Sequence, residues 1–162
     1  MIATPHMLAG AAGALKARSV GGGLAIGVLT HLVLDAVPHR DYRLGALGGL
    51  VLTADLAAGT LAVCRLSGRS EVVLAGALGG VLPDVVRLVE RALAISPTGW
   101  VHDTMHTDSR PSPWRSAAIQ GLTAVTAALV LRRLPGVSDQ QARESGRDVD
   151  PSAFISRAIG SF

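Results

Sequence analysis

The sequence predicts an all-α protein, a multispan transmembrane helical bundle, and three observations predict it. Apolar residues (49%) outweigh charged ones (17%) and the mean hydropathy is +0.41, whereas ordinary soluble domains carry about 25% charged residues. The apolar runs are long, rich in Ala, Leu and Val, and show no sustained alternation, which disfavours strands. Aromatic residues make up only 3% while glycines number 19, so large core fillers are scarce and residues that let helices approach closely are plentiful. A chain of 162 residues accommodates one domain. It divides into a membrane-embedded helical domain over 1–134 and a polar, charge-mixed tail over 135–162 that reads as disordered.

The elements follow in order. Thr4-Pro5 is a helix start, because Thr can cap and Pro is tolerated at the first helical position. It opens a short helix from Pro5 to Arg18. The second segment, Val20 to Val37, ends at Pro38, which lacks a backbone donor. The third, Leu44 to Cys64, contains Asp55 as its only ionisable residue and has about the length a bilayer requires. The fourth runs from Val72 to about Ile95; Pro83-Asp84 breaks it, and Arg87, Glu90 and Arg91 make its second half amphipathic. The fifth, Ser116 to Leu131, is closed by Arg132, Arg133 and Pro135-Gly136.

The segments at Val20 and Ser116 are shorter than the roughly 20 residues that span a bilayer, so a soluble buried bundle is the competing architecture. Three features favour the membrane. Tyr42, Trp100 and Trp114 flank apolar runs, as in an interfacial belt. GxxxG spacings occur at Gly23/Gly27, Gly45/Gly49 and Gly76/Gly80. The third segment, moreover, has no polar stripe for water to wet. The string GALGG occurs at both Gly45–Gly49 and Gly76–Gly80, which chance in a chain rich in Gly, Ala and Leu accounts for.

The formal charge is +3 and the pI is near 10. The basic residues are scattered, however: Arg40, Arg65, Arg69, Arg91, Arg110 and Arg132 lie at or beyond the ends of apolar runs. No basic block interleaves with aromatics, so nucleic acid is not the partner; lipid headgroups are. The single cysteine, Cys64, excludes an intrachain disulfide and reads as a small buried hydrophobe. Lys16 and Arg18 follow the first apolar stretch rather than precede it, the reverse of a signal peptide. The expected location is the cell membrane, as a multi-pass integral protein.

The residues able to carry chemistry are histidines and aspartates. His31 and Asp35 lie four apart on a helix, hence on one face and one turn apart. A nitrogen and a carboxylate so placed can hold a metal ion, or one can orient the other. His39 is four further on, and His102 and His106 repeat the spacing in a polar loop from Ser96 to Arg115. His6 opens the first helix. Asp55 and Asp84 sit within apolar segments, where a carboxylate near mid-bilayer costs roughly 2.5–3.5 kcal/mol on insertion scales and needs a compensating partner. A cation is the simplest. Each feature also has a plainer account: a hydrogen-bonded His31–Asp35 pair, a polar His6 beside a cap, an Asp55 bond to a neighbouring Ser or Thr, Asp84 as a helix cap, His102 and His106 as solvated loop residues. Arg40, Arg43 and Arg110 could clamp a phosphate but read more simply as positive flanks of membrane segments. No P-loop, GxSxG or CxxC motif is present.

Four strings, TPHMLAGAAGAL (Thr4 to Leu15), THLVLDAVPHRDY (Thr30 to Tyr42), GALGGVLPDVV (Gly76 to Val86) and HDTMH (His102 to His106), resemble a bacterial family of small membrane proteins. The family is that of the predicted membrane-bound metal-dependent hydrolases, whose best-named members are LexA-regulated. The resemblance covers roughly Thr4 to Leu131, with His31 to Tyr42 as its most specific part. It implies a polar set of His6, His31, Asp35, His39, Asp84, His102 and His106. The expectation is therefore a metal site of His6, His31, Asp35, His39, His102 and His106, with Asp84 and Asp35 as catalytic carboxylates. Mixed imidazole and carboxylate ligands suit zinc, with manganese or iron as alternatives. The expected reaction is hydrolysis of a phosphoester or lipid-like substrate, with Asp84, or less favourably Asp55, as base. The contrasting expectation is a non-enzymatic membrane protein with a structural metal or an ion or proton pathway.

Overall fold

The computed structural model describes residues 2–39, 46–68, 70–95, 97–98 and 111–133. Among the described residues there are six α-helices and no strand. They are α1 (Ala3–Gly13, continued by a 3-10 turn over Ala14–Lys16), α2 (Val20–Asp35), α3 (Ala46–Leu66), α4 (Glu71–Gly79), α5 (Leu82–Ala92) and α6 (Pro113–Arg133). The polar tail lies outside the described residues.

Helix α1 begins two residues before the expected start. Its N-cap, Ile2, has no side chain able to cap. The amides of Ala3 and Thr4 instead donate to the Asp55 carboxylate of α3. The Thr4 hydroxyl, expected to cap, donates to the Asp55 backbone oxygen at 2.9 Å. Pro5 is tolerated because first-turn residues need no intrahelical donor. Ser19 caps α2, accepting from the Gly22 amide at 3.1 Å.

The fourth segment breaks three residues earlier than Pro83 suggested. The chain leaves α4 at Gly80 and restarts at Leu82, and the two pieces are bent by 46°. Pro83 lies in the first turn of α5, where its ring fits, so it starts a helix instead of ending one. Helix α5 closes through Ala94, which takes the left-handed conformation (φ 54°), while the Ile95 amide donates to the Glu90 carbonyl at 3.0 Å. Helix α6 starts at Pro113, three residues earlier than expected, and ends on Arg132 and Arg133.

Packing is set by small residues. The buried stripe of α2 is Gly23, Gly27, His31 and Asp35, one residue every four. Its glycine half lies against α4, where a Cβ on Gly27 would collide with the carbonyl of Gly76. Helix α1 packs among α2, α3, α4 and α6, and Met7, Leu8, Val63, Val73 and Leu131 belong to the shared core. The two GALGG strings are not equivalent: Gly76 is at a backbone crossing, whereas a Cβ on Gly49 would meet nothing within 4 Å. Cys64 is half-buried rather than buried.

The outer faces are apolar. Leu47 and Leu50 of α3 and Leu122 of α6 are all at least 70% exposed. Among the described residues, two helices, α3 from Leu47 and α6, are long and apolar enough to cross a membrane, and α4–α5 makes a third if the bent pair counts as one span. Trp114, in the first turn of α6, is exposed, as an interfacial anchor would be.

Candidate metal centre

The glycine stripe of α2 runs directly into His31 and Asp35, so the helix face that meets α4 carries these two side chains inward at its C-terminal end. Both are buried, His31 at 0% and Asp35 at 2% exposure. Pro38 then stops the helix and leaves His39 beside the same carboxylate. From α1, the first-turn His6 enters from the opposite side. Gly80, at the α4–α5 break, makes that approach possible, because a Cβ there would strike the His6 carbonyl oxygen.

The three rings converge on one carboxylate. His31 Nε2 is 3.0 Å from Asp35 Oδ2, His6 Nε2 is 3.3 Å from Oδ1, and His39 Nε2 is 3.8 Å from Oδ1. The ring centroids of His6 and His31 are 4.7 Å apart and those of His6 and His39 5.8 Å. His6, His31 and Asp35 each offer a ligand atom within 4.8 Å of the others. Asp84, in the first turn of α5, brings a second carboxylate to 3.9 Å from His31 Nε2.

The other edge of each ring fixes its tautomer. His6 Nδ1 lies 2.9 Å from the Ile2 carbonyl, His31 Nδ1 2.9 Å from the Gly80 carbonyl, and His39 Nδ1 2.8 Å from the Val37 carbonyl. A carbonyl only accepts, so each Nδ1 carries the hydrogen and donates. In the neutral ring, Nε2 then presents a lone pair. The Nε2 atoms of all three rings thus face one carboxylate. A divalent cation among them would be met by imidazole lone pairs and a carboxylate oxygen. Backbone carbonyls on the distal ring nitrogens are also the usual outer support of metal-bound histidines. The donor set therefore fits a divalent ion with imidazole and carboxylate ligands.

Of the expected residues, then, the structure brings together His6, His31, Asp35, His39 and Asp84. Asp55 is not among them: its carboxylate is committed to the first amides of α1. His102 and His106 lie outside the described residues, as do Arg40, Arg43 and Arg110. Two contributors escaped the sequence reasoning. Gly80 orients His31 through its carbonyl and admits His6 through its missing side chain; the GxxxG spacing at Gly76/Gly80 was its available signal. Gln120 of α6 is buried beside His6 and His39, and a lone Gln in an apolar run gives no such signal. Comparison of the chain with protein-family models, with curated proteins and with solved structures found no match.

Proposed function

We propose that the protein is a multi-pass, cell-membrane metal-dependent hydrolase acting on phosphoester or lipid-like substrates. The observation that carries this reading is the convergence of three Nδ1-tethered imidazoles on Asp35. Its resemblance to the LexA-regulated type of membrane-bound metal-dependent hydrolase supports the same reading. His6, His31 and Asp35 would hold the ion, with His39 at the edge of the group; zinc is the preferred metal, manganese or iron the alternatives. The bound ion supplies a Lewis acid that makes water a nucleophile at neutral pH.

The chain's own residues do the rest. The Ile2, Gly80 and Val37 carbonyls hold the rings so that Nε2, not Nδ1, faces the centre. Asp84, 12% exposed and 3.9 Å from His31, would act as the base that takes a proton from water. The apolar shell of α1, α2 and α4 keeps bulk water away, which strengthens every charge interaction in the site.

The membrane setting is supported by α3 and α6, each long and apolar enough to cross a bilayer. Asp55, which caps α1, is nine residues into α3, so the α1 N-terminus meets that helix about midway along its length.

The test is to purify the protein in detergent, quantify metal, and repeat with His31→Ala and Asp35→Ala. About one divalent ion per chain, lost in both variants together with hydrolysis of a phosphodiester or phospholipid, is the expected result. Protein purified without metal, and unable to take up zinc, manganese or iron, would remove the proposal. One observation favours a second reading: His31 and Asp35 are almost fully buried, as in a closed structural site. A tightly held ion with no exchangeable water position would decide for that structural role.

A further inference from the structure

The carboxylate at the centre of the histidine cluster divides its neighbours between its two oxygens. Asp35 Oδ1 is the oxygen beside His6 Nε2, at 3.3 Å, and beside His39 Nε2, at 3.8 Å. Oδ2 is the oxygen beside His31 Nε2, at 3.0 Å. His31 Nε2 has a further carboxylate oxygen 3.9 Å away, Oδ1 of Asp84 in the first turn of α5. The donors therefore sort into two sets. His6, His39 and Asp35 Oδ1 form one; His31, Asp84 and Asp35 Oδ2 form the other. Asp35 alone belongs to both.

Coordination chemistry gives that division a meaning. Bonds of about 2.0–2.2 Å from an ion to nitrogen or oxygen place two ligand atoms at most about 4.4 Å apart. Every distance named above lies within that span, so each set has the spacing of ligands that share an ion. A four-coordinate ion cannot take all five side chains, whereas a catalytic zinc uses three protein ligands and keeps its fourth position open. Two ions on either side of one carboxylate match the spacing of two-metal hydrolytic centres, about 3.5–4 Å. Both sets also carry the outer support that metal-bound histidines need. The Ile2 and Val37 carbonyls accept from the Nδ1 atoms of His6 and His39, and the Gly80 carbonyl from that of His31. The fold supplies the sets from different places. His6 comes from α1 and His39 from the chain just past α2, while Asp84 reaches His31 from α5, beyond the 46° bend that follows α4.

We propose that the site takes two divalent ions, with Asp35 bridging them through its two oxygens. His6 and His39 complete one position, and His31 and Asp84 complete the other. This rests on the metal-site reading above and extends it. A first ion is shared by His6, His31 and Asp35; a second, taken up as metal is added, gives His6 and His31 an ion each. Asp84 binds through one oxygen and keeps the other to accept a proton from water, the role given to it above. Paired ions clamp the attacking and leaving oxygens of an in-line displacement, chemistry that suits a phosphoester.

The experiment strips the whole chain of metal in detergent and titrates it with manganese(II), followed by elemental analysis and electron paramagnetic resonance. Uptake should reach two ions per chain, and the spectrum at saturation should be that of an exchange-coupled pair. His39→Ala and Asp84→Ala each remove a donor from one set only, and each should leave one ion per chain with the spectrum of an isolated ion. Saturation of the parent at one ion, or at two without coupling, overturns the bridge and leaves the single-ion site standing. A coupled pair that persists in both variants overturns the ligand assignment. The parent's stoichiometry and coupling decide the proposal even where a variant does not fold. No uptake by the parent overturns the metal-site reading itself, a result distinct from one ion bound.

Discussion

Replacing Asp55 separates a structural carboxylate from a catalytic one. Asp55 accepts from the Ala3 and Thr4 amides, the latter at 3.3 Å, across from α3 to the start of α1. Asp55→Ala removes this cap and leaves two amides of a half-buried helix start without it. Loss of a cap costs about 1 kcal/mol, and stranding a buried donor about 1–3 kcal/mol, so the total is roughly 2–4 kcal/mol. Asp55→Asn keeps a carbonyl oxygen that can accept, and Asn caps as well as Asp does. It loses only the charge–dipole contribution, about 0.3–1 kcal/mol. The assay is apparent Tm in detergent with metal content measured on the same samples. Asp55→Ala should melt well below the parent and lose metal, because α1 carries His6; Asp55→Asn should stay within a few degrees and keep its metal. The reasoning is refuted if the Asn variant falls as far as the Ala variant. An Asn variant that keeps Tm and metal yet loses all hydrolysis would instead make Asp55 a base.

Gly27→Ala puts a methyl group into the Gly76 carbonyl and should destabilise by about 1–3 kcal/mol or more, while Gly49→Ala meets open space and should gain up to about 1 kcal/mol of helix propensity; thermal melts in one detergent compare them. Ala94→Gly relieves a left-handed alanine after α5 and should stabilise by about 1 kcal/mol, read as a rise in apparent Tm. Chelation of the parent protein should lower Tm less than His31→Ala does, since the chelated protein keeps the bond from Nδ1 to the Gly80 carbonyl, worth about 1–3 kcal/mol when its loss strands the acceptor. Coincident melts of the two would show that the ring serves the ion alone.

The all-helical architecture was legible because long apolar runs without alternation leave little choice. So was the core of the site: the four-residue spacing of His31 and Asp35 fixes their shared face on any helix. What the spacing could not give was the direction of that face. The same four-residue step joins Gly23 and Gly27 to the pair, and only the contact with α4 shows that the stripe points inward. Asp55 was misjudged for a physical reason. A carboxylate in an apolar segment announces that something compensates it, but not whether that is a cation or the positive end of a helix; here the first amides of α1 supply the answer. Pro83 was taken as a breaker because proline removes a donor, yet in a first turn no donor is missed. Gln120 was invisible because its significance is purely one of neighbours from α1 and α2.

The site lies where helices end, and that placement has a cause. A helix terminus deep in an apolar layer exposes backbone groups that water cannot reach, each needing a partner from the chain. Asp55 serves the amides that open α1. His31 serves the carbonyl at the end of α4, and His39 a carbonyl just past α2. Residues recruited to close such ends must be polar, must be buried, and must be held in one orientation. An imidazole meets the need with Nδ1 and turns Nε2 away from the helix it closes. Two helix ends closed this way, together with His6 on the Ile2 carbonyl, direct three Nε2 atoms at the same carboxylate. Interrupting the helices and assembling the ligands are thus one structural act: a continuous α4–α5 helix would leave no Gly80 carbonyl for His31, and with it no fixed lone pair for an ion.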